Sequence, residues 1–149
     1  MTETQTTNAY LTTRVMTASP EQLRLLLLEG SVRFANQAKH GLETGDHETS
    51  HAGFTQCRNI ILELISTINA EAAPELADRV KGLYTFLYQE LVEASFQKDP
   101  ARVGKVIELL EYEVETWRLL LEELAQKGET ATVEPTPEPG AGPSLSIQA

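Results

Sequence analysis

Apolar residues recur every three or four positions along most of the chain, which is the spacing that places them on one face of an α-helix. Three breaks interrupt this pattern, at residues 41–46, 72–74 and 98–100. The pattern therefore predicts four helices between residues 19 and 128, and no segment requires a β-strand. Because long helices with short connections pack as antiparallel neighbours, we expect an all-α fold, an antiparallel up-down four-helix bundle.

The first helix is predicted to begin at a clear start signal. Ser19 precedes Pro20, and Gln22 stands three residues after Ser19, which is the spacing of a capping box. Proline suits the first helical position because its missing N–H would have no partner there. At the other end, Gly41 is expected to terminate this helix in a left-handed conformation.

The other three helices are bounded less sharply. The second is predicted to start within residues 46–50 and to end within 69–72, and the third to follow Pro74. Asp99 before Pro100 repeats the combination of cap and proline, so we expect the fourth helix to start there and to run to Gly128. Its apolar positions alternate spacings of four and three, as in the contact face of a helix bundle.

The two ends of the chain differ from the bundle in composition. Residues 129–149 are rich in proline and hold few side chains that could pack, which is typical of a disordered tail. Residues 1–18 are rich in threonine and hold a few isolated apolar residues. We therefore divide the chain into an N-terminal arm at 1–18, a bundle at 19–128 and a tail at 129–149.

The charge balance narrows the range of partners. Twelve Lys and Arg face 22 Asp and Glu, which gives a formal net charge of −10. Binding to nucleic acid or to an anionic membrane needs a surplus of cations, so both are poor candidates. The longest apolar run, residues 25–28, is too short to cross a bilayer. The N-terminus lacks a secretory signal pattern, and the single cysteine forms no internal disulfide, so we expect a cytoplasmic protein.

An enzyme is not expected from these residues. Glu48 and His51 form one E-x-x-H sequence, whereas a di-iron bundle needs two such pairs and further inward carboxylates. His47 and His51 are one helical turn apart and would suit only a weak, adventitious ion. Cys57 lies on the apolar face of the second helix and is predicted to be a packed thiol. We therefore predict no catalytic residue, no metal and no cofactor.

The first helix carries two apolar stripes where a bundle core needs one. Leu23, Leu27, Gly30, Phe34 and Ala38 form one stripe, and Leu25, Leu28, Val32 and Ala35 form the other. Two explanations stay open at this point. Either the helix touches two neighbours within the bundle, or the surplus meets the N-terminal arm, an identical subunit or an amphipathic helix of another protein that it accepts as a groove.

Several blocks of sequence, in a fixed order, resemble a known family. Asn8-Ala9-Tyr10 is followed by Val15-Met16-Thr17-Ala18-Ser19-Pro20 and then by Leu27-Leu28-Glu29-Gly30. Further along come Leu83-Tyr84-Thr85-Phe86-Leu87 and a segment, 106–117, that ends in Trp117. Together these blocks resemble the FliS family of flagellar secretion chaperones. Leu28 stands where that family usually has tyrosine.

The resemblance implies a function without covalent chemistry. Members of the family are cytosolic four-helix bundles in which a short N-terminal segment caps an apolar groove. By this resemblance the protein binds the C-terminal helical segment of flagellin, prevents its premature polymerisation and presents it for type III secretion. The flagellar export apparatus is a further expected partner. A structural homodimeric adaptor, not specific to flagellin, is the alternative.

The resemblance and the helical spacing together give six candidate partner-binding residues. Tyr10 and Val15 would belong to the movable cap. The candidate walls of the groove are Leu28, Ile60, Tyr84 and Tyr88, which rest mainly on their spacing along the predicted helices.

Overall fold

The computed structural model describes residues 9, 11–13, 16–68 and 74–133, with side chains as far as residue 127. Four long helices account for most of this part: α1 (Pro20–Thr44), α2 (His47–Ser66), α3 (Pro74–Gln97) and α4 (Pro100–Val133). Residues 9, 11–13, 16 and 17 are also helical. The predicted all-α fold is therefore confirmed, and the described residues hold no strand.

The predicted start of α1 is confirmed in detail. The Ser19 hydroxyl accepts a hydrogen bond from the Gln22 backbone N–H at 3.1 Å, and the Gln22 side chain accepts one from the Ser19 N–H at 3.0 Å. This reciprocal pair satisfies two backbone donors that have no partner within the helix. The Asp99 carboxylate accepts from the backbone N–H of Ala101 at 3.0 Å, so the cap of α4 is confirmed too.

The predicted end of α1 is wrong by one turn. Gly41 lies inside the helix, which continues to Thr44 and ends on Gly45, where φ is 71°. Gly41 is needed for a different reason, since a Cβ at this position would lie 2.5 Å from the backbone N of Ser50 on α2. Gly41 therefore allows α1 and α2 to approach each other closely, and it does not form the predicted left-handed turn.

Neighbouring helices run antiparallel. Gly53 on α2 meets the backbone of Ala38 on α1, and Arg24 near the start of α1 donates to the carbonyl of Leu64 near the end of α2. The α3 and α4 helices are antiparallel too, since Glu90 pairs with Arg102 and the earlier Tyr84 with the later Glu113. A joint of only Lys98 and Asp99 reverses the chain between them, with Lys98 at a φ of 54°.

The core lies in the first of two compact units into which the chain divides, Met1–Val114 and Glu115–Ala149. Each of the four helices contributes buried apolar side chains to it. The larger ones are Leu28, Phe54, Ile61, Leu64, Tyr84, Leu87, Leu91, Val103, Val106 and Leu110.

Helix α4 extends beyond both the core and its predicted end. Among its side chains described, as far as residue 127, the last buried one is Val114, and within the second unit Trp117 and Leu121 are half-buried whereas Leu119 and Leu124 are exposed. The backbone stays helical to Val133, five residues past the predicted end at Gly128. Residues 134–149, which hold the rest of the predicted disordered tail, lie outside the described residues. Among the described helices, none combines the length and apolar character that a bilayer crossing requires.

Candidate functional site

One polar cluster joins all four helices within the first unit. The Tyr84 hydroxyl on α3 donates a hydrogen bond to the Glu113 carboxylate on α4 at 3.0 Å, and the Arg24 guanidinium of α1 lies over the Tyr84 ring at 5.6 Å. Arg24 also donates to the Thr67 hydroxyl at 3.0 Å and to the Leu64 carbonyl at 3.2 Å. These two bonds give a hydrogen-bond partner to the Leu64 carbonyl in the last turn of α2 and to the hydroxyl of Thr67, the residue that caps this helix. We call Arg24, Tyr84 and Glu113 the tyrosine cluster.

The cluster keeps the Tyr84 phenol neutral. Burial raises the pKa of Tyr84 to about 12, because the phenolate would lose its hydration. The neighbouring Glu113 carboxylate contributes to this raised pKa, and Arg24 opposes both effects. The phenol is thus a hydrogen-bond donor at physiological pH, and its bond to Glu113 links α3 to α4.

The predicted groove walls occupy different environments. Leu28 and Tyr84 are buried, and Tyr84 is only 2% exposed. Ile60 is half-buried on the side of α2 that faces α1, where its Cδ1 would lie 3.3 Å from a Cβ added to Gly30. Tyr88 is half-buried one turn beyond Tyr84.

Tyr88 borders exposed apolar surface on α3. Val92 and Phe96 follow at successive intervals of four residues, 42% and 84% exposed, and residues at this spacing lie on one side of a helix. We call Tyr88, Val92 and Phe96 the α3 row. Tyr88 was predicted from the sequence as a groove residue whereas Val92 and Phe96 were not, although their spacing from Tyr88 is a signal that the sequence contains.

The two stripes of α1 do not form exposed surface. Leu28, Gly30, Ala35 and Ala38 are buried, and the remaining members of both stripes are half-buried. This arrangement favours the explanation that α1 touches two neighbours within the bundle. Exposed large apolar side chains lie mostly on α3 and α4, at Phe86, Val92, Phe96, Leu109 and Tyr112 among others, and Leu62 on α2 is exposed too. Tyr10 and Val15, the predicted cap residues, lie outside the described residues.

No described group is arranged for metal chemistry. In the part of the chain that the structure describes, no three His, Cys, Asp or Glu side chains gather where they would suit a metal ion. His47 and His51 are both exposed at the start of α2. Their neighbour Asp46 caps this helix, and its hydrogen bonds with Thr49 lower the pKa of the carboxyl.

Cys57 is expected to be unreactive in the folded protein. Its side chain is fully buried and donates to the Ser31 carbonyl at 3.4 Å, and burial raises the pKa of the thiol to about 12. Because the thiolate is the reactive form, iodoacetamide at pH 8 should leave Cys57 unmodified in the native protein and modify it fully in urea. Mass spectrometry of the intact chain measures this directly, since Cys57 is the one cysteine. Equal modification in both conditions would contradict the burial.

The comparison with protein families decides the identity. A model described as "Flagellar protein FliS" matches residues 3–124, which covers α1 to α3 and most of α4. The chain belongs to the FliS family. The resemblance found in the sequence is thereby confirmed. FliS is a family of flagellar secretion chaperones and not a family of enzymes.

Several individual proteins similar to this chain are flagellar secretion chaperones of the FliS family. The chain is 32% identical to the flagellar secretion chaperone FliS of Bacillus subtilis over 98 residues, 66% of this chain and 72% of the relative. It is 32% identical to that of Campylobacter jejuni over 111 residues, 74% of this chain and 87% of the relative. The Salmonella typhimurium relative is 30% identical over 105 residues, 70% and 78% of the two chains. Membership of this family supports an export chaperone role in flagellum biogenesis.

Proposed function

We propose that this protein is a cytoplasmic chaperone that binds the C-terminal helical segment of flagellin, keeps it from polymerising and presents it for export. The observation that carries the proposal is the α3 row, an aromatic and aliphatic surface left exposed on a chain of the FliS family. Its spacing of four residues matches the period of an amphipathic helix, which would lie along it with its own apolar face inward.

The energy of such binding comes from apolar area removed from water. Each Å² contributes about 25 cal/mol, and part of this is spent on ordering a client that is unfolded when free. An amphipathic segment held in this way cannot pair with its own kind. Prevention of premature polymerisation therefore requires no covalent step and no cofactor.

The six predicted residues take different parts in this proposal. Tyr88 and Ile60 are the accessible wall residues, and Tyr88 contacts the client together with Val92 and Phe96. Leu28 and Tyr84 act from within the core by fixing the helices that carry those residues. Tyr10 and Val15 keep their predicted role as parts of a movable cap.

Substitutions in the α3 row test the proposal directly. Phe96→Ser is expected to weaken binding of a synthetic peptide with the flagellin C-terminal sequence about 30-fold, because burial of a phenylalanine contributes about 2 kcal/mol. Isothermal titration calorimetry measures the affinity and the stoichiometry. Tyr112→Ser, which changes another exposed aromatic residue on α4, is the matched control and should bind as wild type. Equal affinities of all three proteins would contradict a client site on the α3 row.

Deletion of the arm tests the cap. If residues 1–16 cover part of the groove in the empty protein, their removal should increase the affinity for the same peptide, because a competitor has been removed. Calorimetry of the truncated and full chains compares them under one condition. Unchanged or weaker binding on deletion would contradict a displaced cap.

The exposed row would also suit a second copy of the chain, as the homodimeric adaptor hypothesis requires. Light scattering with and without the flagellin peptide separates the two functions. A dimer that the peptide leaves intact would favour the adaptor, whereas a monomer that binds one peptide supports the chaperone.

A further inference from the structure

We propose that Lys81 binds the C-terminal carboxylate of the client, so that the α3 row receives the end of a flagellin chain and not an internal helix. Lys81 is an exposed residue on α3, seven positions before Tyr88. This inference rests on the proposed function, because it assigns a position and a direction to the flagellin segment on the α3 row. It adds a specificity-determining residue to that site.

Lys81 continues the line of the α3 row towards the start of the helix. Seven residues are almost two full turns, so Lys81 and Tyr88 lie within about 20° of each other around the helix axis. Lys81 and Val92 are separated by about three turns and differ by a similar angle. Thr85, which lies on this line between Lys81 and Tyr88, is exposed. The apolar surface from Tyr88 to Phe96, about 12 Å long, is therefore followed about 10 Å further on by a lysine.

The Lys81 ammonium has no carboxylate partner within the described residues. The ion pairs of this part of the chain join other residues, between α3 and α4 and within α4. Asp78, one turn before Lys81, is the nearest carboxylate along the same helix, and the two form no ion pair. On a chain with a net charge of −10, an unpaired cation in line with an exposed apolar row favours a partner that carries an anionic group beside its apolar face.

A chain terminus is the anion that this position suits best. The last turn of a helix has carbonyl groups without intrahelical partners and a partial negative charge, and at a chain end the α-carboxylate adds a full negative charge. A client helix that runs antiparallel to α3 presents both charges to Lys81, while its apolar side lies along Tyr88, Val92 and Phe96. An internal helix presents only the partial charge, since the chain continues beyond its last carbonyl groups.

The dipole of α3 favours this direction of the client over the opposite one. Lys81 lies in the first third of α3, nearer the end with partial positive charge, whereas Phe96 immediately precedes the last helical residue, Gln97. A parallel client would place its carboxylate beside the carbonyl groups at the C-terminal end of α3, where the next residue is the exposed Lys98. Because like charges oppose that arrangement, Lys81 is the expected contact and Lys98 is the competing position.

The test compares two synthetic peptides with the flagellin C-terminal sequence, one with a free carboxylate at its end and one with a C-terminal amide. Isothermal titration calorimetry with the full chain measures both affinities at low ionic strength. Wild type is expected to bind the free acid about fivefold more tightly than the amide, which is the effect of a favourable exposed ion pair. Lys81→Gln should bind both peptides equally, with the affinity that wild type shows for the amide.

Arg79→Gln is the matched control, and it should keep the fivefold preference for the free acid. It removes one positive charge from the same part of α3, but position 79 lies about 160° from Lys81 around the helix axis. Lys98→Gln tests the competing position and should keep the preference too. Residues 79, 81 and 98 are all exposed, so the three substitutions should change folding little, and circular dichroism checks the helix content of each variant.

The possible failures of this inference and of the proposed function differ in their results. Equal affinities of wild type for the two peptides, or a preference that persists in Lys81→Gln, would overturn the role of Lys81. A preference lost in Lys98→Gln or in Arg79→Gln, and kept in Lys81→Gln, would overturn it as well. The proposed function stands in these cases if Phe96→Ser still weakens the amide. Absence of binding of both peptides to wild type would overturn the proposed function, and this inference with it.

Discussion

Tyr84→Ala is expected to lower the free energy of unfolding by about 4 kcal/mol, since it removes a buried aromatic ring and leaves a cavity between the helices. It also deprives Arg24 and Glu113 of their shared partner in the tyrosine cluster. Urea unfolding followed by circular dichroism measures the change. A loss of this size is a large fraction of the stability of a single domain, so a substantial unfolded population is expected at 37 °C.

Two further variants divide this effect into its parts. Tyr84→Phe keeps the ring and removes only the hydrogen bond to Glu113, so it should cost about 1 kcal/mol. Tyr112→Ala removes a tyrosine that is 71% exposed and should change stability by less than about 0.5 kcal/mol. If Tyr84→Ala and Tyr112→Ala were equally stable, the buried position of Tyr84 would be wrong.

Tyr84 also makes the free energy of unfolding depend on pH in the alkaline range. Its pKa rises from 10.0 to about 12 on folding, so the neutral form is favoured in the native state. The associated stability is fully present below pH 10 and is lost as the pH rises from 10 towards 12. The urea midpoint of wild type should therefore fall more steeply over this range than that of Tyr84→Phe. Since Cys57 titrates in both proteins, the difference between them isolates the tyrosine.

Gly53→Ala is the second substitution with a large expected effect, a destabilisation of about 3 kcal/mol. The added Cβ would lie 2.5 Å from the Ala38 backbone N and 2.7 Å from the Phe34 carbonyl oxygen. These are backbone atoms of α1, so no side-chain rotation relieves the overlap and the two helices must separate. Thermal or urea unfolding of the variant gives the magnitude.

Gly82→Ala is the matched control, and the opposite sign is expected for it. This glycine also lies inside a helix, but the new methyl group would have no atom within 4 Å. Alanine restricts the unfolded chain and favours the helix, so the variant should gain up to about 1 kcal/mol. Destabilisation by both substitutions to the same extent would show that contact between α1 and α2 is not the cause.

Local signals in the sequence were sufficient for the helices and their starts. Ser19, Asp46 and Asp99 each bond to backbone N–H groups within three residues, so a cap is recognisable without knowledge of the rest of the fold. The end of α1 was not predictable in this way. Gly41 and Gly45 both suit a left-handed C-terminus, and only the position of Ser50 on the next helix shows which glycine serves which purpose.

The candidate site was less predictable because burial depends on neighbours that are distant in sequence. Tyr84 and Tyr88 are one turn apart and look alike in the sequence. The first is buried because Arg24 and Glu113, 60 and 29 residues away in the chain, converge on it, whereas the second borders open surface. Phe96 was recognisable as apolar, but only the fold shows that nothing in the described residues covers it.

The contact of α1 with α2 through Gly41, Ser50, Gly53 and Ala38 leaves no room for an added Cβ at either glycine. A larger side chain at one of these positions is tolerable only if the opposite position becomes smaller or the helix axes move apart. We therefore expect these four positions to change in compensating pairs as lineages diverge, whereas exposed positions such as Phe96 are free to vary one at a time unless a partner constrains them.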